Sequence, residues 1–123
     1  MPALGPVTPV LRMFDEAKAR EFYVDFLGFA VAFEHRFGAN FPLYMGVTKA
    51  GCTLHLSEHH GDACPGTHVR IGCDAVADFA RELAAKSYRY AKPGAPETTA
   101  WGTREFTVAD PFGNRLTFVE ETQ

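Results

Sequence analysis

The chain has three cysteines, Cys52, Cys64 and Cys73, and no two of them stand at C-x-x-C spacing. An odd count without paired spacing argues against a disulfide framework and a four-cysteine zinc site, and points to reduced thiols in a cytoplasmic protein. Nowhere does the chain approach the ~18 consecutive apolar residues of a membrane span. The opening MPALGPVTPVLRM has neither a basic region nor a sustained apolar run, so no signal peptide is expected. Positive charge is not in excess: 12 Lys and Arg stand against 15 Asp and Glu, a formal net charge of -3. That balance gives no basic field to attract nucleic acid, and there is no like-charge block or low-complexity tail. What remains is the composition of one globular domain, 46% hydrophobic over 123 residues, long enough to bury roughly two thirds of its unfolded surface. Eleven Phe, four Tyr and one Trp exceed the needs of a small core and leave aromatics to line a pocket.

PVLRM reads as a strand; Asp15 then caps a helix whose apolar Phe22, Tyr23, Phe26 and Leu27 share one side and which ends at Gly28. FAVAFEHRF, FPLYMGVT and CTLHLSE follow as three strands separated by Gly, Asn or Pro. The second half opens with the strand THVRIGC, Asp74 as a helix cap, and a stripe of Val76, Phe79, Ala80 and Leu83 at i, i+3, i+4, i+7. It continues with YRYAK as a strand, a Pro/Gly loop from Pro93 to Pro96, the strand REFTVA, the turn DPFGN and a last strand RLTFVEE. Both halves read β-α-β-β-β. GCTLHLSE from Gly51 and GNRLTFVE from Gly113 match as G-x-x-L-x-[LF]-x-E, 62 residues apart. Leu11-Arg12-Met13 with Asp15 likewise resembles Val69-Arg70-Ile71 with Asp74, and the shared order argues for an internal duplication.

LHLSEHHGD, Leu54 to Asp62, holds three histidines, a glutamate and an aspartate. As a helix it would set His55 and His59 on one face, but its order is H-x-x-E-H, and zinc peptidases use H-E-x-x-H. The match to RLTFVE instead makes Leu54 to Ser57 a strand, with Leu54 and Leu56 toward the core and His55 and Ser57 on the opposite face. His59, His60 and Asp62 then fall in a loop. The same alternation brings Thr8, Val10, Arg12, His68, Arg70, Glu105, Thr107, Arg115, Thr117 and Val119 to that open face, where Glu105 is placed to pair with an arginine. A solvated sheet face accounts for polar residues there without any function. Convergence of His55, His68, Arg12, Arg70 and Glu105 from different strands is what favours a site. Trp101 reads equally as a rim aromatic or as core, and Phe33, Phe37, Phe41 and Tyr44, around the Gly38-Ala39-Asn40 turn, as a lip or as core. No residue is assigned as catalytic.

The paired halves, with FDEAKAREFYVDFLGFAVAFE in the first and WGTREFTVADPFGNRLTFVE closing the second, resemble the vicinal oxygen chelate superfamily. That superfamily includes glyoxalase I, extradiol dioxygenases, fosfomycin-resistance enzymes and bleomycin-resistance proteins, and the closing segment looks most like the bleomycin-resistance branch. The resemblance implies an α+β fold in a single domain over residues 1–123. It would hold two tandem βαβββ modules, about 5–60 and 66–121, with curled mixed sheets forming a groove and helices on the outer face. It further implies a homodimer that binds and sequesters a small molecule, such as a bulky cationic bleomycin-type antibiotic, without chemistry. The ligand would meet Arg12, His55, Ser57, His68, Arg70, Trp101, Glu105 and Thr117. The superfamily's metal-ligand positions fall on Thr8, His55, His68 and Thr117. Two imidazoles with no carboxylate match Mn, Fe or Ni poorly and Zn incompletely, so no cofactor is expected. The alternative is a metal-dependent lyase, isomerase or dioxygenase using His55 and His68 with a carboxylate from the Glu58-His59-His60 loop or Asp62.

Overall fold

Alternating apolar and polar side chains build two separate four-stranded sheets in the computed structural model, which describes residues 2–122. The first contains β1 (Val10–Arg12), β2 (Ala30–His35), β3 (Tyr44–Lys49) and β4 (Cys52–Ser57), in the order β1-β4-β3-β2. The second contains β5 (His68–Gly72), β6 (Glu97–Thr98), β7 (Thr103–Ala109) and β8 (Arg115–Glu121), in the order β5-β8-β7-β6. Among these strands β1 with β4 and β5 with β8 run parallel and the other pairs antiparallel, each parallel pair being joined by a long crossover that contains the helix. The architecture is the α+β pair of βαβββ modules, each sheet having one face on the core and one open.

The first helix, α1, begins as an α-turn at Glu16–Ala19 and continues as a π-helix over Arg20–Phe26. Asp15 caps it by accepting from the Lys18 amide at 2.9 Å. The wider winding keeps Phe22, Tyr23, Phe26 and Leu27 together on the buried side, and Gly28, at φ 86°, lets the chain turn away.

In the second helix, α2 (Val76–Ala85), Val76, Ala80 and Leu83 are buried as the stripe requires. Asp74 is not its cap. The helix starts one residue later than expected, Ala75 offers no side-chain acceptor, and the Glu120 carboxylate from β8 takes the Val76 amide at 3.2 Å. A carboxylate there satisfies an otherwise unpaired donor at the positive end of the helix.

Strand register locates the repeat. Leu11 lies opposite Leu56, and Ile71 opposite Phe118, so Leu11 corresponds to Ile71 and Arg12 to Gly72. The likeness of Leu11-Arg12-Met13 to Val69-Arg70-Ile71 is therefore two residues out of step. The match from Gly51 and Gly113 holds: both glycines have φ 88°, and Leu54, Leu56, Leu116 and Phe118 are all buried. YRYAK is not a strand. Tyr88 lies against Phe26 at 4.9 Å and donates to Glu21 at 2.9 Å, so this run covers α1, and the short strand arises later as β6.

The modules meet on their helical sides. Tyr23 donates to the Asp110 carboxylate at 2.6 Å, which also accepts from the Phe112 and Asn114 amides and from Asn114 Nδ2. Asn114 Nδ2 reaches the Arg12 carbonyl at 2.9 Å as well. The DPFGN turn, expected to be a local structural feature, therefore also fastens one module to the other. The opposite junction is open: the hairpin around Lys49 stands off α2 and leaves a cleft of about 890 Å³, with Lys49 Nζ 4.9 Å from the centre of the Phe79 ring.

Candidate functional site

On the open face of the first sheet, one row of side chains runs Phe33, Gly46, His55, Val10 and the next runs His35, Tyr44, Ser57, Arg12. Phe33 reaches this face because β2 carries a bulge. Val31 pairs with Val47 and Phe33 with the adjacent Gly46, leaving Ala32 without an opposite number. Without the bulge, Phe33 would share the core-side parity of Val31. Gly46 makes room for the ring, since a Cβ there would lie 2.3 Å from Phe33 Cε1. Phe33 meets the His55 ring edge to face at 5.1 Å and stacks with Tyr44 at 6.2 Å, and the Tyr44 hydroxyl shares a 2.7 Å hydrogen bond with His55 Nδ1. Burial and the nearby Asp62 carboxylate push the Tyr44 pKa up, so its phenol stays protonated at neutral pH. The patch is a cluster of three rings, Phe33 and Tyr44 near-parallel and His55 edge-on to both, with Phe33 42% exposed.

The second sheet's open face is polar and largely satisfied. His68 Nε2 and Thr117 Oγ1 are 2.7 Å apart, and Thr117 shares a further 2.7 Å bond with Thr107. Arg70 forms a two-pronged pair with Glu105 at 2.6 and 3.3 Å, and Thr103 donates to the same carboxylate at 2.7 Å. Arg70, Thr103 and the neighbouring Trp101 hold the Glu105 carboxyl down to about 2.

Not every residue expected on the open face is free to meet a ligand. Ser57 is fully buried, donates to Asp62 at 2.7 Å and accepts from the His59 amide. Thr8 lies outside β1 and is exposed. Thr117 is 2% exposed; Trp101, 69% exposed, is not core and is free to meet a ligand, as is Arg12, which packs on Phe14 but makes no ion pair among the described residues. His55 and His68 belong to different sheets, each bonded within its own. Contacts between the modules come from the helical sides, and among the described residues none joins the two open faces. Sequence reading left Phe33, Tyr44 and Gly46 undecided or unnoticed; the available signal was a glycine in mid-strand, which marks a bulge or a close approach.

For a metal, the four family positions present two imidazoles and two hydroxyls. Among the described residues no group of three or more His, Cys, Asp or Glu is placed to hold an ion. Glu58, the residue after β4, turns its Oε1 to the Leu43 amide at 2.9 Å. These donors do not fit the superfamily's divalent site, which draws on a carboxylate. No described helix is long and apolar enough to cross a membrane.

Comparison with known proteins places these features in context. A family model described as "Glyoxalase superfamily protein" matches residues 3–123. Among solved structures, the bleomycin-binding protein from bleomycin-producing Streptomyces verticillus, complexed with copper(II)-bleomycin, is 27% identical. It covers 98% of each chain with a TM-score of 0.74. An antibiotic binding protein from Streptomyces sp. CB03234 is 23% identical over 98% of this chain and 99% of its own, TM-score 0.78. A glyoxalase/bleomycin resistance protein/dioxygenase superfamily member from Sphaerobacter thermophilus is 24% identical over 96% and 98%, TM-score 0.73. Curated proteins give no match.

Proposed function

The chain belongs to the glyoxalase superfamily, and from that membership we propose that it is a small-molecule-binding protein of the bleomycin-resistance type. It holds an aromatic ligand against the open face of its first sheet and sequesters it without chemistry. The observation that carries this reading is the 42% exposed Phe33 ring laid over Gly46 and near-parallel to Tyr44, with His55 edge-on beside them. Stacking on such a surface contributes about 1 kcal/mol beyond the area buried. The polar second face supplies orienting hydrogen bonds from His68, Arg70 and Glu105.

A homodimer completes the groove in this reading. Phe33, Phe37, Phe41 and Trp101 are 42 to 74% exposed, more large apolar surface than a lone domain of this size usually leaves in water. The likeness to the Streptomyces verticillus protein makes a bleomycin-type antibiotic the first ligand to try, although arginines near the groove suit a neutral or acidic compound better than a cation.

The test is a thermal-shift titration with bleomycin and copper(II)-bleomycin, alongside sedimentation equilibrium. A hundredfold excess over Kd stabilises the folded state by about 2.7 kcal/mol, and Phe33→Ala should abolish most of the shift. No shift with either compound at concentrations far above a micromolar Kd rejects bleomycin, and a species of one chain's mass rejects the shared groove. The metal-dependent alternative predicts stoichiometric retained metal that is lost in His55→Ala and His68→Ala; metal content unchanged by both substitutions removes it.

A further inference from the structure

We propose that a second cleft, bounded by Arg12, Phe14, Arg36, Asn40, Phe41 and Glu58, receives an oxyanion: a carboxylate or phosphate group borne by a small ligand. The cleft is about 470 Å³ and opens where β1 ends, beyond the aromatic patch. Its distinctive group is Arg12, whose Nε is buried with no hydrogen-bond partner among the described residues. None of the ion pairs among the described residues engages that guanidinium. A buried donor without an acceptor costs free energy, and in a native fold it calls for an explanation.

The surroundings hold Arg12 ready for a ligand. Its guanidinium lies 4.5 Å from the centre of the Phe14 ring, and Phe14 is braced edge-on by Phe112 at 6.1 Å, so the planar fork is stacked. The cleft's other cation is already committed. Arg36 pairs with Glu16 and donates to the Phe41 carbonyl at 3.0 Å, fixing the loop whose Phe41 amide bonds back to Gly38. Glu58 turns an oxygen to the Leu43 amide. Arg12 is therefore the cation of the cleft that makes no ion pair among the described residues, and a two-oxygen anion supplies the acceptors its fork lacks. Half-exposed Phe14 and Phe41 would flank an organic body attached to that anion. The inference does not depend on an aromatic ligand occupying the Phe33 face.

The probes are inorganic phosphate and phenyl phosphate, titrated at constant ionic strength against chloride while the Arg12 Nε–H resonance is followed by NMR. The expected result is a saturable shift of that resonance, tighter for phenyl phosphate. By calorimetry, binding should be at least about tenfold weaker in Arg12→Gln and unchanged in Arg81→Gln, which removes an exposed arginine on α2 outside the cleft. Arg12→Lys, which keeps the charge but loses the fork, should fall between wild type and Arg12→Gln. The proposal is overturned if the resonance does not respond, or if Arg12→Gln binds phosphate as wild type does. It is also overturned if Arg12→Gln changes the oligomeric mass and not the affinity, because the missing acceptor then belongs to a second copy of the chain.

Discussion

Glu105 shows how one side chain's charge is set by its neighbours on an exposed sheet. Its carboxylate takes two bonds from Arg70 and one from Thr103, and its pKa falls to about 2. Because the folded value lies below the unfolded one, the pair's contribution is fully present at neutral pH. It fades as pH drops from the ordinary carboxylate range toward about 2. Carboxyl 13C NMR should find that low midpoint, and Arg70→Gln should return it toward the ordinary range while hardly moving the melting temperature, as for most exposed pairs. A midpoint unaltered by Arg70→Gln would mean that Thr103 and Trp101 dominate. This pairing was legible in the sequence, because strand parity puts Arg70 and Glu105 on one face. Phe33 was not legible, because parity counts residues and a bulge changes the count.

At the level of elements, periodicity revealed α2 but not what starts it. Asp74 carries the local signal of a cap, yet the acceptor is Glu120, 44 positions along the chain, and a sequence window cannot see a partner that tertiary structure delivers. Glu120→Ala should therefore destabilise the protein by about 1 kcal/mol, the usual worth of an N-terminal cap. Urea denaturation would read this, with Asp74→Ala close to neutral as the control. The loss of YRYAK as a strand has a similar cause. Its aromatic residues have high strand propensity, but Tyr88 finds Phe22, Phe26 and Glu21 on α1, and that packing outweighs local preference. The expected β-α-β-β-β order survives in both modules because strand alternation and the helical stripe are set by many residues at once, whereas a cap or a bulge depends on one.

The molecule as a whole holds together through contacts that neither half specifies alone. Tyr23 reads in the sequence only as an apolar position of α1; its hydroxyl is spoken for by Asp110, 87 residues away, and burial together with that carboxylate pushes its pKa well up. Tyr23→Phe removes a bond to a buried charged acceptor and should cost about 2 kcal/mol, measured as a lowered denaturation midpoint in one cooperative transition. A split into two transitions would show that this contact couples the modules' folding. The two junctions also differ mechanically. With Asp110 and Asn114 tying one junction by hydrogen bonds and the other side bridged by the Lys49 ammonium against the Phe79 ring beside an open cleft, relative motion of the modules should be a lever's swing about the bonded junction. Displacement is smallest at the pivot and largest at the cleft, so slow exchange broadening in solution should gather at Lys49–Cys52 and Phe79 while Asp110–Asn114 stays sharp.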